Sequence, residues 1–470
     1  MVRRWLASAL TLAAVSVALL TPCAPAATSD SLTALDRYVA APDTNYSFRL
    51  VNTAPTAQGK VFTLEMTSQS WLTTNEVNRT LWQHTLFIAV PNEVAGPTAF
   101  LMIGGGNNKK DSKKGPDGNL PRLAIETKSV TAELRQVPNQ PLVFHQDGQE
   151  RVEDDLIAYT WDQFLRTGDE RWPARLPMTK AVLRAMDTIT AFCASAEGGG
   201  AKMERFVVAG ASKRGWTTWA TAAVDPRAIG IAPIVIDVLN LQPSMKHHYA
   251  AYGFWAPAVH DYVEHHIMEW MDTPQFQALA RIEDPLSYRQ RFTMPKLLLN
   301  AAGDQFFLPD SSQFYWDDLP GPKFLRYVPN ADHSLKGSDA WDTLQAFYQS
   351  LLTGTALPRL NWTLAEDGSI RVNAADPPRE VKLWQATNPK ARDFRLETLG
   401  PVWTSTPLTL QDGACTARVP EPPQGWTAFI VELTYAGLGG HPLKLTTPIR
   451  VVPETVKHRF VPDSTKRRGR

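Results

Sequence analysis

From residue 45 to residue 103 the chain alternates between apolar and polar positions. YSFRLVN, KVFTLEMTSQSWL and LWQHTLFIAV each put every second side chain on one apolar face, the pattern of half-buried β-strands. TAFLMI then runs without polar interruption into Gly104-Gly105-Gly106, as expected of a strand buried on both faces. A polar loop (KKDSKKGPDG), a predicted helix (LPRLAIETK) and the segment VTAELRQVP follow, leading to NQPLVF. Beyond residue 151 the period lengthens, and Met178, Val182, Leu183, Met186, Ile189 and Phe192 recur at helical spacing. The apolar runs FVVA, IGIAPIVID, KLLLNAAGD and KFLRYVPNADHSL each end in a loop, with helical stretches between the first of them.

Antiparallel strands followed by strands alternating with helices predict an α/β sheet covered on both faces, here over residues 27–355. Residues 239–290 break the alternation with LQPSMKHHYAAYGFWAPAVHDYVEHHIMEWM, a helical insertion placed where a lid over the carboxyl edge of the sheet would lie. After about Leu357 the grammar changes again. LNWTLAEDGSIRVNAA, EVKLWQAT, FRLETLG, CTARVP, WTAFIVELTY and LKLTTPIRVV read as short strands split by turn residues, a small β-sandwich over residues 356–453. Residues 454–470 close the chain as a basic, solvated tail.

Composition adds limits. With 470 residues the chain is long for one domain, and 43% apolar with 20% charged residues is globular. A formal charge of +1 argues against a nucleic-acid surface of the usual basic kind. Arg3-Arg4, the apolar stretch from Trp5 to Leu20 and Ala24-Pro25-Ala26 form the pattern of a secretory signal over residues 1–26. Its removal leaves 46 basic residues against 47 acidic ones and no integral membrane segment. The expected location is therefore periplasmic or extracellular. Leu20-Thr21-Pro22-Cys23 resembles a lipoprotein box, but proline before the cysteine fits that pattern poorly. Cys193 and Cys415 fall in different predicted domains, so no disulfide is expected, and no metal-like Cys-x-x-Cys spacing occurs.

The chemistry centres on RFVVAGASKRGWTTWA. A serine between a buried strand and a helix, with only small residues before it, presents its Oγ at the sheet edge. The helix that starts there aims its free N–H groups at the same spot. Ser212 also suits a plain helix N-cap. Downstream, Asp304 and His333 each follow the carboxyl end of a predicted strand, where open α/β sheets place their sites. The order Ser, Asp, His is that of an acyl-transfer triad on such a sheet: nucleophile, orienting acid and base. Taken singly, Asp304 is also a plausible turn residue and His333 a surface histidine. The N–H of Lys213 and the glycine turn at Gly105 and Gly106 are the candidate oxyanion donors. Lys213-Arg214 stand either as solvated cations on the helix's first turn or as positive charge that favours an anionic substrate group.

The insertion supplies the other candidates. His260 and Glu264 share a possible helix face with His247, His248, His265 and His266 nearby, but no HExxH arrangement or obvious third ligand is present, so no metal and no cofactor are expected. Tyr249, Tyr252, Phe254, Trp255, Tyr262 and Trp270 either line a pocket or pack the insertion against the sheet.

GASKRGWTTW, LMIGGGNN, LRQVPNQPLVF, LIAYTWDQF, MTKAVLRAMD, AAGDQFFLPD and PNADHSL together resemble the PhoPQ-activated pathogenicity-related proteins, over about residues 30 to 455. The resemblance implies an exported α/β-hydrolase fold, with nucleophile, acid and base at Ser212, Asp304 and His333. It also implies a link to virulence and antimicrobial-peptide resistance, and it brings no defined substrate. One departure matters: the second glycine, Gly215, falls three residues after the serine, and Arg214 holds the usual small position. Two functions follow from this reading. One is an exported serine hydrolase acting on a small-molecule ester or peptide; the other is a binding protein that keeps the scaffold without turnover.

Overall fold

In the computed structural model, which describes residues 32–109 and 115–467, the alternating segments become the antiparallel half of one large sheet. The predicted signal segment and Cys23 lie outside the described residues, as do 110–114 of the polar loop and the last three residues. Helix α1 (Ala34–Ala40) precedes β1 (Ser47–Thr56), β2 (Gly59–Ser70) and β3 (Leu81–Pro91). Next come β4 (Thr98–Ile103), α2 (Asn119–Thr127), β5 (Thr131–Leu134), α3 (Glu153–Thr167) and α4 (Arg175–Ala194). The parallel half is completed by β6 (Arg205–Ala211), α5 (Lys213–Val224), β7 (Ala228–Ile234), β8 (Lys296–Ala301) and β9 (Lys323–Val328).

The nine strands lie in the order β1-β2-β3-β5-β4-β6-β7-β8-β9. The first pairings are antiparallel and those from β5 through β9 are parallel. The molecule thus has the α/β-hydrolase arrangement that the motifs imply. Because successive side chains of a strand face opposite ways, β6 sends Phe206 and Val208 into one apolar cluster and Val207 and Ala209 into another. All four are fully buried, so this strand carries no alternation to read. Strand β1 is the reverse case: an edge, largely exposed, paired only with β2 and carrying Pro55.

The insertion is helical, with α6 (Leu241–Tyr252), the short α7 (His260–Glu264) and α8 (Pro274–Glu283) joined by 3-10 turns. After α9 (Ala340–Thr353) the chain leaves the large sheet. Strands β10 (Leu360–Leu364), β11 (Ile370–Ala374) and β12 (Glu380–Asn388) are followed by a short helix, α10 (Leu396–Leu399), where FRLETLG was expected to be a strand. Its Leu396 N–H bonds to Gly303 O of the large domain, and that tertiary contact accompanies the helical turn. Strands β13 (Thr404–Pro407), β14 (Ala414–Ala417), β15 (Trp426–Tyr435), β16 (Leu443–Thr446) and β17 (Arg450–Val452) complete two antiparallel sheets, β10-β11-β14 and β13-β12-β15-β16, with β17 also on β15.

Ile370 and Val372 of one sheet share an apolar cluster with Phe429 and Val431 of the other, which makes the pair a sandwich. Ala428 and Ile430, on the opposite face of β15, join the apolar cluster of the large sheet. The sandwich is therefore packed onto the first domain, with Tyr327 N–H of β9 donating to Thr446 Oγ1 at 3.0 Å. Residues 454–467 are mostly exposed, but they do not leave the body. The N–H groups of Lys457 and His458 bond to Ala250 O, and Phe460 packs on Tyr249 and Trp255 of the insertion. Cys193 and Cys415 are free thiols, one in α4 and one in β14.

The junction of β6 and α5 has almost no space. A methyl group on Gly210 would meet Arg214 O at 2.7 Å, and one on Gly215 would meet Gly210 O at 2.8 Å and Ile234 O at 3.0 Å. An alanine inside a helix normally gains about 1 kcal/mol over glycine. At Gly215 the sign should reverse, because the clash is with backbone on two sides. Gly215→Ala is expected to lower stability by about 1–3 kcal/mol, read from the urea unfolding midpoint.

Candidate functional site

Ser212 sits between β6 and α5 with φ 58° and ψ −128°, a conformation that a residue with a side chain rarely holds unless its surroundings enforce it. They do so here. Its N–H donates to Ile234 O at 2.8 Å, and its carbonyl accepts from Trp216 N–H at 3.0 Å as the first bond of α5. Its side chain does not cap the helix, so the N-cap alternative fails in its usual sense.

Asp304 and His333, 29 residues apart, are brought together by the adjacent strands β8 and β9. His333 Nδ1 lies 2.8 Å from Asp304 Oδ2, and the two side chains are 14% and 4% exposed. A carboxylate at that position makes Nδ1 the protonated nitrogen and leaves Nε2 as the acceptor. Asp304 is held in turn, since Oδ1 accepts the Phe306 N–H at 2.7 Å. The Phe306 ring packs on the imidazole at 4.4 Å, and the His333 N–H donates to Gln305 Oε1. His333 Nε2 is buried without a hydrogen-bond partner among the described residues, so Ser212 Oγ is not bonded to it in this structure. Ser212 and Phe306, the ring that packs on His333, line one pocket of about 50 Å³ with Trp216, Tyr262 and Phe307 among others.

The expected oxyanion donors stand at the ends of the neighbouring strands β4 and β6. Lys213 opens α5, and Gly104 to Gly106 leave the end of β4 with their carbonyls engaged. Gly104 O accepts from Val137 N–H, Gly105 O from Gln136 N–H and Gly106 O from Gln140 Nε2. Neither Gly105 nor Gly106 gives its N–H to a protein acceptor among the described residues. Gly106 has φ 138°, in the region that favours glycine, and a methyl group on Gly105 would strike the Arg214 guanidinium at 2.7 Å.

Both readings of Lys213-Arg214 require correction. Neither cation is solvated, their side chains being 8% and 12% exposed, and neither is free to meet an anion. Arg214 donates to both oxygens of Glu153 at 2.6 and 2.7 Å and to Val137 O at 2.6 Å. Lys213 Nζ lies 2.9 Å from Glu153 and 3.0 Å from Asp154. Burial alone would raise the Glu153 carboxyl, but the hydrogen bonds and charge of Arg214, with Lys213, hold it well below the usual carboxylate range. Gln140 Nε2 bonds to Glu153 and reaches the Gly106 carbonyl, so the large residue at the expected small position ties the glycine turn to α3 and α5. The sequence reading missed Glu153 and Asp154. Their one visible signal is a run of three acids opening a helix, which is common for dipole reasons alone.

A second ionic cluster secures the acid loop. Asp310 accepts from Arg392 of the sandwich domain at 2.6 Å and pairs with His247 of α6 at 3.0 Å. Burial would raise the Asp310 carboxyl, and the charges of Arg392 and His247 outweigh it, so the group stays ionised. Nearby, Asp237 takes hydroxyl bonds from Tyr315 and Tyr327, and burial pushes it up to about 7.

Most candidates in the insertion resolve as packing. Of the six aromatics only Tyr262 lines the pocket; Tyr249 and Trp255 pack on Phe460, and Tyr252 stacks on Phe254. His265 pairs with Asp155, and His248 accepts the Ala256 N–H. His260 and Glu264 do come near each other, with Asp261 between them, their ligand atoms within 4.8 Å.

The sequence pattern of the PhoPQ-activated pathogenicity-related protein family matches residues 35–395. The chain belongs to that family. Autocrine proliferation repressor protein A of Dictyostelium discoideum is 40% identical to this PhoPQ-related chain over 456 residues, covering 90% of it and 91% of the amoebal protein. Among solved structures, acetyl xylan esterase 1 from Thermoanaerobacterium sp. JW/SL YS485 is similar at 14% identity and a TM-score of 0.47, over 68% of this chain and 91% of that one. An acetyl xylan esterase from Paenibacillus sp. R4 gives 14% identity and a TM-score of 0.46, over 68% and 92%. In this family member no helix among the described residues is long and apolar enough to cross a membrane.

Replacing Glu153 by glutamine should cost on the order of 1–3 kcal/mol, because largely buried Arg214 loses its carboxylate partner and Lys213 loses one of its two. The pH profile separates that effect from a local packing defect. A carboxylate with a depressed folded-state pKa contributes stability that is present above about pH 4.3 and lost as pH falls through the folded value. The urea midpoint of the unaltered protein should fall more steeply below that pH than the midpoint of Glu153→Gln.

Proposed function

We propose that this protein is an exported serine hydrolase that cleaves an ester or amide by acyl transfer. One observation carries the reading: a serine held at a strained strand-to-helix turn opens on the same pocket as the phenylalanine that packs against a carboxylate-bonded imidazole. In the proposed mechanism Ser212 Oγ attacks the substrate carbonyl. His333 Nε2, which has no partner among the described residues, takes the proton and returns it to the leaving group. Asp304 holds the ring orientation and stabilises the imidazolium. The N–H of Lys213 and those of Gly105 and Gly106 receive the oxyanion, each such donor being worth about 3 kcal/mol in the transition state. Hydrogen bonds of this kind commonly tighten only once substrate is bound.

Export rests on the arginines and apolar stretch that open the sequence, so the mature protein should begin at Ala27 when its first residues are sequenced. The virulence and peptide-resistance role implied by the family resemblance would then be exercised outside the cytoplasm. A second reading, a binding protein on the same scaffold, draws on the unbonded Nε2. The two part under a fluorophosphonate probe. Labelling that is lost in Ser212→Ala supports the hydrolase, and well-folded protein that never labels supports the binder. For an active enzyme Ser212→Ala should lower kcat on the order of 10⁶-fold, and Asp304→Asn about 10⁴-fold, measured on an activated ester. A tenfold loss or less at Ser212 would mean that another group is the nucleophile.

A further inference from the structure

The pocket that Ser212 faces has a composition of its own. Trp161 and Trp216 wall it from the α3 and α5 side, Phe307 from the acid loop, and Met245, Val259 and Met268 from the insertion. Its ionisable lining groups are Asp154 and Lys213, which pair at 3.0 Å, and Tyr262, whose hydroxyl donates to Asp154 at 3.0 Å. Burial pushes that hydroxyl well above its ordinary range, so it stays neutral. Arg214, the other cation of the elbow, is paired with Glu153 and bonded to Val137 O. The cavity therefore offers no uncompensated charge, and burying an ionised group in it would cost several kcal/mol without a partner. Its cavity volume is about 50 Å³, room for a few water-sized groups in a row. Two unbranched methionines on the insertion side let its wall adapt to a flexible chain.

From this lining we infer that the pocket is the acyl site, and that it takes an uncharged, apolar chain of several methylenes while rejecting one that ends in a charge. The assignment rests on the acyl-transfer reading for the word acyl, and on the lining alone for the apolar ligand. Each methylene moved from water into such a site multiplies affinity about fourfold, hence more than tenfold for two.

The test uses Ser212→Ala protein, so that nothing is turned over, with methyl butanoate, hexanoate and octanoate and with monomethyl suberate as the charged counterpart. Binding is read by calorimetry and by tryptophan emission, since Trp161 and Trp216 face the ligand. Kd should tighten more than tenfold per two methylenes, and the terminal carboxylate should lose at least tenfold against octanoate. Val259→Trp and Met268→Trp each fill the space and should abolish the length dependence, with thermal unfolding showing which of them folds. A Kd indifferent to chain length, a suberate that binds as well as octanoate, or a length series that survives in a folded filling variant would each overturn the inference. If Ser212 labels with fluorophosphonate and no length series appears, the pocket assignment fails and the hydrolase stands. If the series appears and Ser212 never labels, the hydrolase fails and the pocket stands as an apolar binding site.

Discussion

The helix behind Ser212 lies so close to the strand before it that neither Gly210 nor Gly215 has room for a methyl group. Everything at the site depends on that approach. It places the first turn of α5 directly over the end of β6, forces the intervening serine to φ 58°, and turns its Oγ away from the helix it would otherwise cap. The strain is affordable because neighbours bear it. Arg175, fully buried, donates to Lys213 O at 2.5 Å and to Thr217 Oγ1, and it pairs with Glu283 at the end of α8. Trp216 Nε1 reaches Glu283 O from the same turn. The elbow is thus bolted to α4 and to the insertion at once.

Charge is used here for attachment rather than for attraction of ligands. Glu153 and Asp154 neutralise the two cations that follow the serine, and Asp154 also accepts the Tyr262 hydroxyl of the insertion. On the other side of the site Asp310 joins α6 to the sandwich through His247 and Arg392, while Leu396 docks its N–H on Gly303, the residue before Asp304. Buried ion pairs contribute little net stability, since desolvation offsets most of the attraction, but losing one partner is costly. The consequence is a carboxylate–imidazole pair whose supporting loop is held by three parts of the chain. It also leaves a pocket whose own charges cancel.

Much of this was legible in order along the chain. The period-two segments became β1 to β3, although β1 is exposed on both faces, and the helical period at Met178 to Phe192 became α4, because packing of one face writes that pattern directly. Ser212, Asp304 and His333 could be picked out because each follows an apolar run at the edge where strands end. FRLETLG defeated the same reasoning: four of its residues form a helical turn whose first N–H is spoken for by Gly303, a contact 93 positions away. The tail looked solvated because its side chains are; its backbone bonds to Ala250 left no trace in polarity.

What the sequence determined by itself is most of the strands and helices, the two-sided burial of the parallel sheet and the residues that stand at its carboxyl edge. Hydrophobic periodicity and turn chemistry act over a few residues, and so can be read locally. Which cation meets which carboxylate was decided only in the folded chain. Lys213-Arg214 read as solvated or as ligand-seeking until α3 delivered Glu153 and Asp154 to within 3.0 Å. Ionic pairing depends on distances between segments far apart in sequence, and a run of side chains carries no record of what the fold will set beside it.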